Sequence, residues 1–177
     1  MKIAWIQYDM HWENSEKNIQ LVNELVSENK ESYDLLALPE MWDTGFSMNP
    51  DSLTQRDQEK VINTMKNISA QKNCAVVGST IFKSSGEFTN RLIYIDHNQE
   101  SYYDKIHLFS LGKEDTIYSE GSQIVDIRSR NKIIIRPLIC YDLRFPSVST
   151  HRGEIHLIVY VANWPEVRIE HWKKLLA

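Results

Sequence analysis

The chain has 177 residues, 42% of them apolar and 25% charged, with a formal net charge of −4. These values describe a single globular domain that buries a real core. They exclude a basic stripe for nucleic acid, an apolar run near the ~20 residues that cross a bilayer, and, with two cysteines, a disulfide framework.

Lys2 to Gln7 reads as a buried strand that begins at once, without the apolar segment and cleavage site of a secretion signal, so a cytoplasmic protein is expected. Asn14 or Ser15 caps a helix in which Ile19, Val22, Leu25 and Val26 form one apolar stripe. Asp34 to Leu38 is a second short apolar run, stopped by Pro39. Thr54 and Asp57 offer a capping pair for a second helix with Val61, Ile62, Met65 and Ile68 on one face. Cys74 to Phe82 is the next strand, Ser84-Ser85-Gly86 a turn, and strands follow at Arg91 to Ile95 and Ser101 to Tyr103.

A polar, loop-like segment runs from His107 to Gly121. Strands return at Gln123 to Ile127 and at Lys132 to Ile139, the latter apolar enough to be covered on both faces. His156 to Val161 is the last strand, and Pro165 opens a helix with Ile169, Trp172 and Leu176 on one face. Helices alternating with apolar strands imply a layered α/β domain. The chain stops at Leu175-Leu176-Ala177 inside an apolar helical pattern with no capping signal, so its domain, residues 1–177, is expected to be incomplete at the C-terminus.

The six histidines form no metal set: there is no HExxH, no CxxC and no close pair at helical ligand spacing. His156, in an apolar strand, reads as packed or hydrogen-bonded. A glycine-rich phosphate loop is also absent. Chemistry by side chains alone remains, with no cofactor. Glu40 follows one strand, Lys105 another, and Cys140 ends the run Ile133 to Ile139. Ligands gather beyond the carboxyl ends of strands in open α/β sheets, so three strand ends can share one cleft. Singly, each has a plainer reading: a solvated acid, a surface lysine, a buried small hydrophobe. Together they supply a base, a cation and a nucleophile. The cation is expected to lower the thiol, which otherwise titrates near ~8.5, and to hold the oxyanion formed on attack at an amide carbonyl.

Longer words surround these residues. Leu38-Pro39-Glu40-Met41-Trp42 with Thr44-Gly45-Phe46, Tyr103-Asp104-Lys105-Ile106-His107-Leu108-Phe109, and Cys140-Tyr141-Asp142-Leu143-Arg144-Phe145-Pro146 resemble the signature blocks of the nitrilase superfamily, in the family's order. Asn163-Trp164-Pro165 resembles a fourth block, and the overall likeness is nearest to the omega-amidase branch. The resemblance implies a four-layer-type α-β-β-α sandwich, one α-β half-pair per subunit, within a single carbon-nitrogen hydrolase domain that works as a homodimer. It implies Glu40 as general base and acid, Lys105 as oxyanion stabiliser, Cys140 as nucleophile, Glu114 as positioning carboxylate and the Tyr141 N–H in the oxyanion hole.

By the same resemblance the substrate is a small-molecule amide, the terminal amide of a dicarboxylic acid monoamide such as 2-oxoglutaramate. Neither nucleic acid nor membrane is expected as a partner. A nitrile or N-carbamoyl hydrolase of the same superfamily, or an inactive fragment acting as a binding subunit, stays open. Phe46 and Trp164 are read as pocket wall. Cys74 is read as core, and Arg144 as paired with Asp142 or a neighbouring acid.

Overall fold

In a computed structural model, residues 1–52, 55–150 and 153–177 are described, those at 52 and 55–57 by backbone alone. The proposed Thr54–Asp57 capping pair lies outside the described residues. The chain forms β1 (Ile3–Trp5), α1 (Ser15–Glu28), β2 (Leu35–Ala37), α2 (Gln55–Lys72), β3 (Ala75–Ser84), β4 (Glu87–Asp96) and β5 (Gln99–Asp104). It continues with β6 (Ile127–Arg128), β7 (Ile134–Ile139), α3 (Pro146–Ser149), β8 (Leu157–Val161) and α4 (Ile169–Leu176).

One sheet has the order β1-β2-β3-β4-β5, with β1, β2 and β3 parallel and β4 and β5 antiparallel to their predecessors. The second has the order β6-β7-β8, in which β7 and β8 run parallel. Successive side chains on a strand face opposite ways, and the apolar residues sort accordingly. Leu36, Val76, Ile93 and Ile95 meet Val22 and Val26 of α1 and Val61, Met65 and Ile68 of α2. Leu35, Val77, Leu92 and Tyr94 meet Ile127, Ile135, Ile139 and Val161 of the second sheet.

The layers therefore run helices, sheet, sheet. Beyond the second sheet sits the short α3, whose Val148 carbonyl, with that of Thr150 just after it, accepts hydrogen bonds from Arg136 on the outer face of β7. Each fully buried aliphatic side chain contributes about 1.5–3 kcal/mol to holding these layers together. No helix among the described residues is long and apolar enough to cross a membrane.

Several elements differ from the expectations. β1 is a short edge strand rather than a buried one. Ala4 and Ile6 pack on the helical side, while Ile3 and Trp5 are 37% and 74% exposed on the other, which the three-stranded second sheet does not reach. Only Ile127–Arg128 of the segment from Gln123 pairs as a strand. Cys74 lies just before β3 in the core, and His156 precedes β8 with its Nδ1 accepting the Ile134 N–H. In α1, Asn14 is the cap, its side chain accepting from the Lys17 N–H.

β2, β3 and β5 share one direction and only β4 is reversed, so β2 and β5 end at one edge of the sheet, where Glu40 and Lys105 lie side by side. Lys105 is then fixed by its own backbone. Its N–H donates to the Asn90 carbonyl at 3.0 Å, and its carbonyl accepts from the Gly121 N–H at 2.8 Å. A Cβ on Gly121 would sit 2.1 Å from the Asp104 carbonyl oxygen, so only glycine permits that approach. Gly121→Ala is expected to cost about 2 kcal/mol and to lower Tm by about 4–8 °C in a thermal melt.

Candidate active site

Lys105 Nζ donates to Glu40 Oε1 at 2.7 Å and to Glu114 Oε2 at 2.8 Å, and all three side chains are fully buried. Asn90, on β4, places its Nδ2 between the same two acids, 2.9 Å from Glu40 Oε1 and 3.0 Å from Glu114 Oε1. The other oxygen of Glu40 accepts the Asn163 N–H at 3.0 Å, and the Cys140 thiol lines the same pocket as this carboxylate, near enough to feel its charge. The structure thus brings Glu40, Lys105, Cys140 and Glu114 together. Glu40 and Lys105 come from ends of the first sheet, and Cys140 follows β7 of the second.

Glu40, Lys105 and Cys140 open onto a pocket of about 50 Å³, with Glu114 buried behind Lys105. Phe46, Phe109, Tyr141 and Trp164 form its walls, so the two aromatic residues expected there are found there. Trp42, by contrast, is fully buried in the core. Tyr141 opens onto the pocket from the first turn of a 3-10 helix over Cys140–Arg144, where backbone N–H groups have no helical partner. Arg144 does not pair with Asp142. It lines the pocket with its guanidinium 5.6 Å from the Trp164 ring centre and 5.9 Å from that of Tyr141.

The carbon-nitrogen hydrolase family model matches residues 2–177. The chain belongs to the carbon-nitrogen hydrolase family. It is 33% identical to the omega-amidase YafV of Escherichia coli K12 over 177 residues, covering 99% of this chain and 68% of that protein. The 2-oxoglutaramate amidase of Bacillus subtilis is 28% identical over 185 residues, with 98% and 69% covered. Among solved structures, XC1258 of Xanthomonas campestris, a CN-hydrolase superfamily protein with an arsenic adduct in its active site, superposes with a TM-score of 0.92 at 30% identity, covering 99% of this chain and 69% of that one.

In this carbon-nitrogen hydrolase Asp142 does work that its expected pairing with Arg144 did not anticipate. It is fully buried, and its Oδ1 accepts from the His107 N–H at 3.0 Å and contacts His107 Nδ1 at 2.9 Å. Its Oδ2 accepts from Tyr103 Oη at 2.8 Å and from the Ile139 N–H at 3.0 Å. Tyr103 and His107 flank Lys105, and Ile139 precedes Cys140, so one carboxylate ties the lysine segment to the cysteine turn. Cys140 itself has φ +43 and Met41, after Glu40, has φ +46, left-handed values that are costly for residues with a side chain. Such strain persists only where surrounding bonds impose it. Here Asp142 does so beside Cys140, and the Ser79 hydroxyl accepts the Met41 N–H at 2.9 Å.

Sequence reasoning did not single out Asn90 or the Asn163 N–H. An asparagine directly before the strand expected at Arg91 to Ile95 was the available signal for the first. The asparagine of the word Asn163-Trp164-Pro165 was the signal for the second.

The expected lowering of the Cys140 thiol does not occur. Burial pushes it well above the ordinary thiol range and the Glu40 charge adds to this, while Lys105 opposes both and is outweighed. The resting group is a thiol with a proton acceptor beside it. Burial would lower the Lys105 ammonium, but Glu40 and Glu114 raise it on balance, so it stays charged. Burial also raises Glu114, with the Glu40 charge adding to it. Cys74 is pushed up to about 11 by burial and then by Asp96.

Glu40→Gln removes a charge that raises the Cys140 thiol and leaves the Lys105 cation that lowers it. The pH profile of Cys140 alkylation by iodoacetamide is therefore expected to move down by about one pH unit, as read by mass spectrometry. An upward move would contradict this account. Asp142→Ala strips four hydrogen-bond donors of their acceptor and is expected to destabilise the fold by about 3 kcal/mol in denaturant titration.

Proposed function

We propose that this chain hydrolyses the terminal amide of a small dicarboxylic acid monoamide, with 2-oxoglutaramate as the leading candidate, to the acid and ammonia. The observation that carries the reading is the meeting of Cys140, Glu40 and Lys105 at one small pocket, with the Lys105 ammonium donating to Glu40 at 2.7 Å. The relatives named omega-amidase and 2-oxoglutaramate amidase support the substrate class. The pocket volume suits a ligand of a few heavy atoms at its reacting end.

In this reading Glu40 takes the proton of the Cys140 thiol as sulfur attacks the amide carbonyl. The carbonyl oxygen becomes an anion held by the Lys105 ammonium and the Tyr141 N–H. Collapse of that intermediate breaks the C–N bond, and Glu40 returns the proton to the departing nitrogen, leaving ammonia and a thioester. A water molecule then gives a proton to Glu40 and attacks the thioester carbonyl. The carboxylic acid leaves, and the thiol recovers its proton from Glu40. A raised thiol fits this scheme, because proton removal and attack proceed together at a carboxylate already in contact.

Glu114 and Asn90 keep the ammonium and Glu40 in register through the contacts described above. By family resemblance the working unit is a homodimer in the cytoplasm, and sedimentation velocity checks the first of these.

Ammonia release from succinamate and 2-oxoglutaramate tests the proposal, with nitriles and N-carbamoyl amino acids assayed alongside. Cys140→Ala is expected to lower ammonia release by about 1,000-fold or more, and Glu40→Gln to do the same. Cys74→Ala, in the core, should retain turnover. Full activity in Cys140→Ala would end the assignment.

A further inference from the structure

Two guanidinium groups at the pocket are left over by everything above. Arg144 and Arg168 both line it, and Arg144 is exposed while Arg168 is half-buried, so they stand on the solvent side of a floor made by the fully buried Glu40 and Lys105. Elsewhere Arg91, Arg130 and Arg136 each hold an aspartate at 2.6–2.8 Å. Among the described residues no carboxylate lies within ion-pair distance of Arg144 or Arg168.

Both are instead held against aromatic rings: Arg144 by Tyr141 and Trp164, and Arg168 with its guanidinium 5.3 Å from the Phe109 ring centre. The Arg168 backbone is fixed as well, its carbonyl accepting from Trp164 Nε1 at 2.8 Å. A guanidinium resting on a ring keeps its in-plane N–H donors available, and its fork matches the two oxygens of a carboxylate. One Arg144 donor nitrogen lies 3.3 Å from His171 Nδ1, and its remaining donors are uncommitted among the described residues.

We propose that Arg144 and Arg168 form an anion subsite that binds the distal carboxylate of the substrate while its amide reaches Cys140. This rests on the amidase reading for what happens at the floor, and it supplies what that reading lacks, a reason for an acidic substrate. The chain carries a net charge of −4, yet the pocket presents Lys105, Arg144 and Arg168 against Glu40 among its lining charges. A small anion is therefore drawn to this opening by a local field opposite in sign to that of the whole molecule. Arg144 belongs to the same 3-10 turn as Cys140, so the anion-binding group and the nucleophile are held in one short rigid piece.

The subsite is tested by the preference of the enzyme for succinamate over its uncharged methyl ester, with ammonia release as the readout. The native chain is expected to prefer the acid. Arg144→Gln should reduce that preference by about 10- to 100-fold, mainly through KM, since a charge-assisted pair to a carboxylate is lost. Arg168→Gln should reduce it by less, and Arg144→Lys should restore part of it, because a point charge replaces a fork. Calorimetric binding of glutarate, an inert dicarboxylate, gives a second readout independent of turnover. It should weaken in both Gln variants and, in the native protein, weaken as salt is raised.

Amide turnover with the preference intact in both Gln variants overturns the subsite and leaves the amidase reading standing. Glutarate binding that falls in the variants of a chain with no amide turnover supports the subsite and removes the amidase reading. Glutarate affinity unchanged in both variants also overturns it.

Discussion

A lysine with no solvent contact is tolerable only if its charge is met, and Lys105 is met twice, by Glu40 and Glu114. Placing three ionised groups in an interior costs several kcal/mol per ion before their attraction is counted. That cost dictates much of what surrounds them. Asn90 must turn its amide nitrogen toward the two acids, because both facing atoms are acceptors. Its own oxygen is then left buried with no partner among the described residues. The Asn163 N–H completes Glu40 from the other sheet. A purely structural ion pair would not need its carboxylate and ammonium to line a pocket together with a thiol, as Glu40 and Lys105 do with Cys140.

The same cluster explains why the cysteine is not a preformed thiolate. A net negative arrangement around Lys105 leaves too little positive potential at Cys140 to offset burial and the nearness of Glu40. A protonated thiol is less prone to adventitious oxidation than a thiolate. Lys105 is held charged by the two acids.

Much of this was legible in the residues. The β-α-β-α-β order, the apolar stripes of α1 and α2, and the placement of Glu40, Lys105 and Cys140 at strand ends follow from local periodicity and from the signature words. Glu114 was reached through the resemblance and is fully buried in what reads as a polar loop. Less visible were features that depend on contacts between distant segments. Trp5 and Ile3 look like core by pattern, but an edge strand under a narrower second sheet leaves them in solvent. Asp142 sits two residues from an arginine, and only the meeting of the lysine segment with the cysteine turn shows why it binds His107 and Tyr103 instead. The direction of the thiol shift depended on burial and the Glu40 charge set against the Lys105 charge, which no spacing along the chain encodes.

The groups of the candidate site are divided between two layers. Glu40, Lys105 and Asn90 hang from the five-stranded sheet, whereas Cys140 and Asn163 hang from the three-stranded one. The acid–ammonium pairing is internal to the larger layer, but the thiol enters only when the smaller layer docks through Ile127, Ile135, Ile139 and Val161. Loosening of that apolar seam would separate sulfur from carboxylate while leaving every helix and strand formed. Under mild heat or denaturant, separation of the sulfur from the carboxylate is accordingly expected to run ahead of the loss of secondary structure.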